Sequence, residues 1–425
     1  MHHLILGAGP AGVIAAETIR KHASADDTVT LVGDEPEAPY SRMAIPYLLM
    51  GNIDESGTFL RKGMNHFANQ NIRLLQARAK QLDAAGKTVA LDNGETLKFD
   101  TLLIATGSSP ARPPIPGIDC AGVHHCWTLE DARRIMDLAK PGARVLQLGA
   151  GFIGCIIMES LAARGVELTV VEMGDRMVPR MMGPTAGGMI RDWCEAKGVT
   201  VHTGTKLEAI ETSTPLRARL SNGEHVPADL IIIAAGVKPN IGFLENSGVE
   251  CLQGVLTDAR MQTNVAGIYA AGDCAEAFDK VSGTTIVSAI QPNAAEQARV
   301  AALNMVGQAA ELKGVTQINV LDTLGMISTS FGNWEGVPGG EHVELTDKAA
   351  GRHLSLQFQG DVMVGCNSVG WTEHVGVMRG LVEGQIKLGT WKDVLMKDPT
   401  KLVQAYLASA QAQGAWAGAQ DERRR

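Results

Sequence analysis

The chain has 425 residues, too many for one hydrophobic core, so several domains are expected. Apolar residues make up 45% of it and aromatic residues 4%, with 48 glycines, which describes an α/β protein rich in glycine turns. A formal charge of -8 with no basic stripe argues against nucleic acid as the main partner. No apolar run reaches the roughly 18 to 20 residues that cross a bilayer, so no membrane span is expected. The N-terminus has no charged leader or cleavage site, and functional sequence starts at residue 4, so a cytoplasmic chain from which nothing is removed is expected.

The first element is an apolar run, Leu4-Ile5-Leu6, that enters Gly7-Ala8-Gly9-Pro10-Ala11-Gly12 and continues into a helix from Val13. In a strand–turn–helix of this kind Gly7 permits the tight turn, Gly9 lets backbone approach a pyrophosphate, and Gly12 lets helix and strand pack closely. A second apolar strand, Thr28 to Val32, leads to Asp34-Glu35, with Asp34 twenty-two residues beyond Gly12. That is close to the roughly 20 residues at which a carboxylate meets ribose hydroxyls. The proline-rich loop that follows carries Arg42, either a bidentate partner for the pyrophosphate or an exposed surface arginine.

Residues 72–97 alternate apolar and polar and contain two hairpin-turn signals, Ala84-Ala85-Gly86-Lys87 and Asp92-Asn93-Gly94-Glu95, so an antiparallel meander is expected there. A buried strand then ends in Ala105-Thr106-Gly107, and the proline-rich stretch Arg112 to Gly117 reads as a stiff linker at a domain boundary. A second strand–turn–helix follows, with Gly149-Ala150-Gly151-Phe152-Ile153-Gly154 as its turn. Glu172 closes the next strand eighteen residues beyond Gly154, where it would accept from ribose hydroxyls and repel a 2'-phosphate, so NAD is expected over NADP. Phe152, inside this turn, either shields a flavin until nicotinamide displaces it or packs in the core.

The strand Leu230 to Ala234 ends at Gly236 and mirrors the Ala-Thr-Gly strand. Next, Gly267 to Asp273 is a strand closing on Gly272-Asp273, where an aspartate can accept from a ribityl hydroxyl. Pro292 opens a helix expected over Asn293 to Val306, whose N-terminal dipole would steady negative charge on a reduced flavin. From about Ile318 the character changes to an α+β pattern. Strands are expected at Ile318–Thr323, His353–Gln359 and Val362–Cys366, helices at Thr372–Glu383 and Asp398–Gln411, and a disordered tail at Asp421 to Arg425. Trp334 and Trp371 either cover a flavin or pack in the core of this region.

The seven cysteines match no CxxC or ferredoxin spacing and read as reduced thiols. No metal site is expected, because His124-His125 beside Cys120 and Cys126 fits no zinc pattern.

With both glycine turns, Ala-Thr-Gly and Gly-Asp in this order, the chain resembles the FAD-dependent pyridine nucleotide-disulfide oxidoreductases. Gly33-Asp34-Glu35-Pro36 with Pro39-Tyr40-Ser41-Arg42 is similar to the branch of ferredoxin and rubredoxin reductases and nitrite reductase NADH-binding regions. The resemblance implies two Rossmann-like domains: an FAD domain of residues 1–110 and 241–315, interrupted by an NAD domain of residues 111–240. A C-terminal α+β interface domain of residues 316–425 would follow. It implies FAD contacts at Asp34 and Arg42, and hydride exchange between NAD(H) and FAD. The chain departs from the thiol-bearing relatives in having Met43 where they carry a cysteine, so disulfide chemistry is not expected. It also has Ile156 where the branch usually has a glutamate near the nicotinamide, with Glu159 one helical turn on.

An external electron partner is therefore expected, an iron-sulfur protein or subunit. Within the branch the chain is similar to FAD subunits that connect multi-subunit iron-sulfur oxidoreductases, of the phenylglyoxylate or tungsten aldehyde type, to NAD. An NADH oxidase or peroxidase and a redox-sensing FAD/NAD interaction protein are the competing readings, and assembly into an oligomer is compatible with all three.

Overall fold

Leu4, Ile5 and Leu6 are at most 1% exposed in the computed structural model, which describes residues 1–63, 65–212 and 214–409. Burying such aliphatic side chains contributes roughly 1.5 to 3 kcal/mol each, which explains why the opening strand, His2–Leu6, lies at the centre of a sheet. That sheet has five parallel strands in the order Ile268–Ala270, Thr101–Ile104, His2–Leu6, Thr28–Gly33 and Ile72–Gln76. It belongs to a first compact unit made of Met1–Ala111, Trp127–Ala132 and Val237–Val315. Helix Pro10–His22 presents Ala11, Gly12, Val13, Ala15, Ala16 and Ile19 inward, and these small residues allow close packing against helix Gln291–Met305. Arg20, Lys21 and His22 occupy its last turn, and its first turn has no acidic residue, so its positive amide end is left for an anion.

The second unit comprises Arg112–Cys126, Arg133–Gly236 and the chain from Thr316 onward. Its first sheet repeats the pattern, with five parallel strands in the order Thr200–His202, Glu167–Val171, Arg144–Leu148, Leu230–Ile233 and Val123–His124. In each unit, then, the glycine turn follows the central strand, at the carboxyl end of the sheet where doubly wound folds bind ligands.

The C-terminal part forms a five-stranded antiparallel sheet in the order Ile318–Thr323, Met326–Gly332, Val362–Val369, Arg352–Gln359 and Glu341–Asp347. Asn367 ties it to the rest of this unit: its Oδ1 accepts from the Gly183 amide at 2.9 Å and its Nδ2 donates to the Met181 carbonyl at 2.8 Å.

Several expectations need correction. Ile72–Gln76 is no part of an antiparallel meander, because it pairs parallel to Thr28–Gly33 as an edge strand. Only Ala79–Asp83, Thr88–Leu91 and Thr96–Lys98 form the antiparallel sheet. A half-buried edge strand alternates just as a hairpin strand does, so the period alone does not reveal the partner's direction. The C-terminal pattern also missed Met326–Gly332, a serine-, threonine- and glycine-rich strand, and Glu341–Asp347, which is exposed along most of its length. Helix Thr372–Glu383 is shorter than expected, running over Val375–Glu383. Of Asp398–Gln411, residues 399–401 form a 3-10 turn and residues 402–409 are helical, while its end and the tail at Asp421 to Arg425 lie outside the described residues.

Candidate functional site

In the first unit the turn is shaped by close backbone approach. Gly7 has φ of +112°, and a Cβ there would lie 2.0 Å from the Ala105 carbonyl oxygen. A Cβ on Gly12 would lie 1.8 Å from the Gly7 carbonyl oxygen. At Gly9 nothing lies within 4 Å of that position, so the middle of the turn opens onto free space at the helix N-terminus, beside Pro10. The three positions divide the work as the motif requires, two packed and one open, and the open one fits a phosphate on the helix amides.

Around this turn the structure assembles several of the expected residues. Ala11 and Ala294 would both touch a Cβ on Gly272, at 3.3 and 3.6 Å, and the Gly272 amide donates to Gln297 Oε1 at 2.8 Å. Asp273 accepts from the Ser108 hydroxyl at 2.9 Å, and burial pushes its carboxyl above the usual range. Thr106 donates to the Asn240 carbonyl at 2.8 Å, and the Asn240 amide donates to the Gly107 carbonyl at 2.9 Å, which closes the strand end. Pro292 lies in the first turn of helix Gln291–Met305.

The two acidic residues have separate surroundings. Asp34 is held by Arg78 through Nε and Nη2, at 3.0 and 2.8 Å. Glu35 accepts from Arg42 Nη2 at 2.6 Å and from the Tyr40 hydroxyl at 2.5 Å. Arg42 also donates to Tyr40 Oη at 3.0 Å and to the Trp127 carbonyl at 2.8 Å, and its guanidinium stacks 5.3 Å from the Trp127 ring centroid. Arg42 is thus a paired residue with a fixed orientation rather than a free surface arginine. The Trp127 indole donates to the Ser108 carbonyl at 3.1 Å, so one chain of contacts runs from Glu35 through Arg42 and Trp127 to Ser108 and Asp273.

Trp127, Ser108 and Gln297 had no motif to mark them, and Tyr40 was marked only as a member of Pro39-Tyr40-Ser41-Arg42. The only signal was a tryptophan and a tyrosine flanking otherwise polar loops. Removing the Tyr40 hydroxyl strands a Glu35 oxygen and the Leu129 amide, which donates to Tyr40 Oη at 3.3 Å. A buried unpaired group costs about 1 to 3 kcal/mol. Tyr40→Phe is therefore expected to loosen Arg42 and lower flavin retention several-fold, read as free FAD fluorescence on dilution; retention equal to wild type would contradict this role.

The second unit repeats the turn. Gly149 has φ of +102° and lies against Ala234, a Cβ on Gly154 would be 2.4 Å from the Gly149 carbonyl oxygen, and Gly151 is open within 4 Å. Phe152 and Ile153 begin helix Phe152–Ala162, both half-buried, with no acidic residue in the first turn. Both oxygens of Glu172 are held by backbone, Oε2 by the Ala150 amide at 2.8 Å and Oε1 by the Gly174 amide at 2.7 Å. The carboxylate is fixed beside the glycine turn. Gly236 faces open space at the end of its strand.

Burial, and after it the charge of Asp322 in the C-terminal sheet, raises the Glu159 carboxyl above the usual range. Trp371 lies under the Arg352 guanidinium, 4.8 Å from it.

Thiol chemistry has no accessible group in either glycine turn. Among the described residues no disulfide joins any of the cysteines. Cys274 is fully buried, with its thiol donating to the Ile104 and Ala271 carbonyls at 3.4 Å, and burial pushes the thiols of Cys155, Cys274 and Cys366 up. Met43 and Tyr47, beside Arg42, are more than half exposed at 53% and 54%. Among the described residues no cluster of three or more His, Cys, Asp or Glu side chains is placed to hold a metal, and no helix is long and apolar enough to cross a membrane.

The family model described as pyridine nucleotide-disulphide oxidoreductase matches residues 1–302. The chain is 34% identical to the NADH-dependent phenylglyoxylate dehydrogenase subunit epsilon of Aromatoleum evansii, over 84% of this chain and 86% of that one. It is 30% identical to the rubredoxin-NAD(+) reductase of Pseudomonas putida, over 74% of this chain and 84% of that one. Among solved structures, an NAD-dependent persulfide reductase from A. fulgidus superposes with a TM-score of 0.85 at 28% identity, covering 92% of this chain and 78% of that one. Two glycine turns in matching folds, with a family model spanning both, establish that the chain belongs to the pyridine nucleotide-disulphide oxidoreductase family and is an FAD- and NAD(H)-binding oxidoreductase.

Proposed function

We propose that FAD occupies the Gly7–Gly12 turn and NAD(H) the Gly149–Gly154 turn, and that the chain passes electrons between NAD(H) and an external iron-sulfur protein as the NAD-reactive subunit of a larger cytoplasmic oxidoreductase. The observation that carries this reading is the pair of open positions, Gly9 and Gly151, each at a helix N-terminus free of acidic residues. A flavin held there would supply hydride exchange with the nicotinamide and one-electron transfer to a partner. The protein's part is binding and orientation. The amides after Gly9 and Gly151 bind pyrophosphate, Asp273 accepts from the ribityl chain, and Arg42, aimed by Glu35 and Tyr40, balances phosphate charge.

A thiol-free flavin site leaves the second half-reaction to a partner. The name of the rubredoxin reductase supports an electron-carrier protein as the partner, and the word subunit in the name of the phenylglyoxylate dehydrogenase chain supports a complex.

Phe152→Ala is expected to change the rate of flavin reduction by NADH at least about threefold in stopped-flow absorbance; an unchanged rate would remove Phe152 from the nicotinamide's path. The reading as a whole is tested by purifying the protein without denaturation from its native host, recording its flavin spectrum, and identifying co-purifying chains by mass spectrometry. Iron-sulfur subunits are the expected companions. A lone flavoprotein that consumes oxygen at its full NADH oxidation rate would instead be an oxidase.

A further inference from the structure

Gln147 is fully buried in strand Arg144–Leu148, two residues ahead of Gly149. Its side-chain Nε2 donates to the carbonyl oxygens of Gly149 and Gly154, each at 2.9 Å. These are the first and last glycines of the turn. Both facing atoms are acceptors, so the atom between them must be the amide nitrogen, whichever way the side chain is first assigned. Its other end, Oε1, is buried with no hydrogen-bond partner.

An unpartnered amide oxygen in a core strand costs stability, and the fold does not require it. The corresponding place in the first unit, two residues ahead of Gly7, is Ile5, which is also fully buried. One glycine turn is therefore supported by an apolar side chain and the other by a polar clasp. A buried polar group that is kept at the expense of stability points to function.

We propose that Gln147 is a positioning residue for the dinucleotide on the second turn. By tying the Gly149 and Gly154 carbonyls to one amide nitrogen it fixes the span of the turn, and with it the direction of the free amides after Gly151. A Cβ on Gly154 would lie 3.1 Å from the same nitrogen, so the clasp also fills the space that the glycine leaves. The inference rests on the reading that NAD(H) occupies this turn.

The test compares Gln147→Leu, Gln147→Met and Gly151→Val with wild type. It measures NAD+ dissociation constants by calorimetry, KM and kcat for NADH with an artificial acceptor, FAD content and Tm. Gln147→Leu should raise the NAD+ Kd and the NADH KM by about three- to tenfold. Saturated kcat should stay within about twofold, FAD content should be unchanged, and Tm should change little, because removal of the orphan oxygen offsets the loss of the two bonds to the Gly149 and Gly154 carbonyls. The methionine variant should behave alike and serves if the leucine variant does not fold.

Unchanged Kd and KM, or a loss of Tm and FAD with no selective effect on NAD+, would overturn the clasp. Gly151→Val should abolish NAD+ binding with FAD retained. If it binds NAD+ normally, the seat itself is wrong and the inference falls with it. If Gly151→Val loses NAD+ while both Gln147 variants bind it normally, only the clasp is refuted.

Discussion

Gly12→Ala is expected to yield protein that retains little or no FAD. The new methyl carbon would lie 1.8 Å from the Gly7 carbonyl oxygen and 3.2 Å from Leu31 Cδ1, and the first of these neighbours is backbone. No rotamer relieves a clash with a carbonyl, so either helix Pro10–His22 moves away from strand His2–Leu6 or the turn opens. A displacement of about 1 Å in a binding turn costs on the order of a hundredfold, so a fall in FAD affinity of at least about tenfold is expected. Flavin content per chain after gel filtration measures it, with far-UV circular dichroism as the control for folding. Full flavin occupancy in the variant would mean that the cofactor does not use this turn. Gly154→Ala is the matched case: a Cβ there would be 2.4 Å from the Gly149 carbonyl oxygen, and NADH reactivity rather than flavin content should fall.

Glu172→Ala is expected to lower the preference for NADH over NADPH by about 10- to 100-fold, the equivalent of one charge-assisted hydrogen bond of about 1.5 to 3 kcal/mol. The carboxylate does not swing freely. The Ala150 and Gly174 amides hold its two oxygens, so in wild type it meets an incoming ribose with a preset direction, and its charge opposes a 2'-phosphate. Truncation removes both the acceptor and the repulsion. The measurement is the ratio of kcat/KM values for the two nucleotides with one acceptor, and a ratio equal to wild type would release Glu172 from any part in selecting the nucleotide. Flavin content should not change, which separates this outcome from that of Gly12→Ala.

The two glycine turns were legible because their chemistry is local. Gly7 to Gly12 and Gly149 to Gly154 each sit within one strand, one turn and one helix, and glycine is the residue those carbonyl contacts tolerate. The order of the two turns, Ala105-Thr106-Gly107 and Gly272-Asp273 identified a pair of dinucleotide modules. Spacing alone pointed to Glu172, and the structure puts its carboxylate one residue past strand Glu167–Val171, beside the glycine turn.

Tertiary structure alone decided who holds these residues. Arg42 meets Trp127 across 85 residues of chain and Ser108 meets Asp273 across 165, and no periodicity carries a pairing of that range. The stretch Trp127–Ala132, which follows the linker in sequence, returns to the first unit. Gln147 lies in a strand and Gln297 in a helix, and no motif singles out either one. Each supports a motif glycine, Gln147 through the Gly149 carbonyl and Gln297 through the Gly272 amide. The direction of strand Ile72–Gln76 was likewise a matter of its neighbour. Composition and spacing determine which turns and helix ends this chain builds, because those follow from the sterics of adjacent residues. The orientation of the charged and amide groups around them depends on desolvation and hydrogen bonding between segments that only the folded sheets bring together.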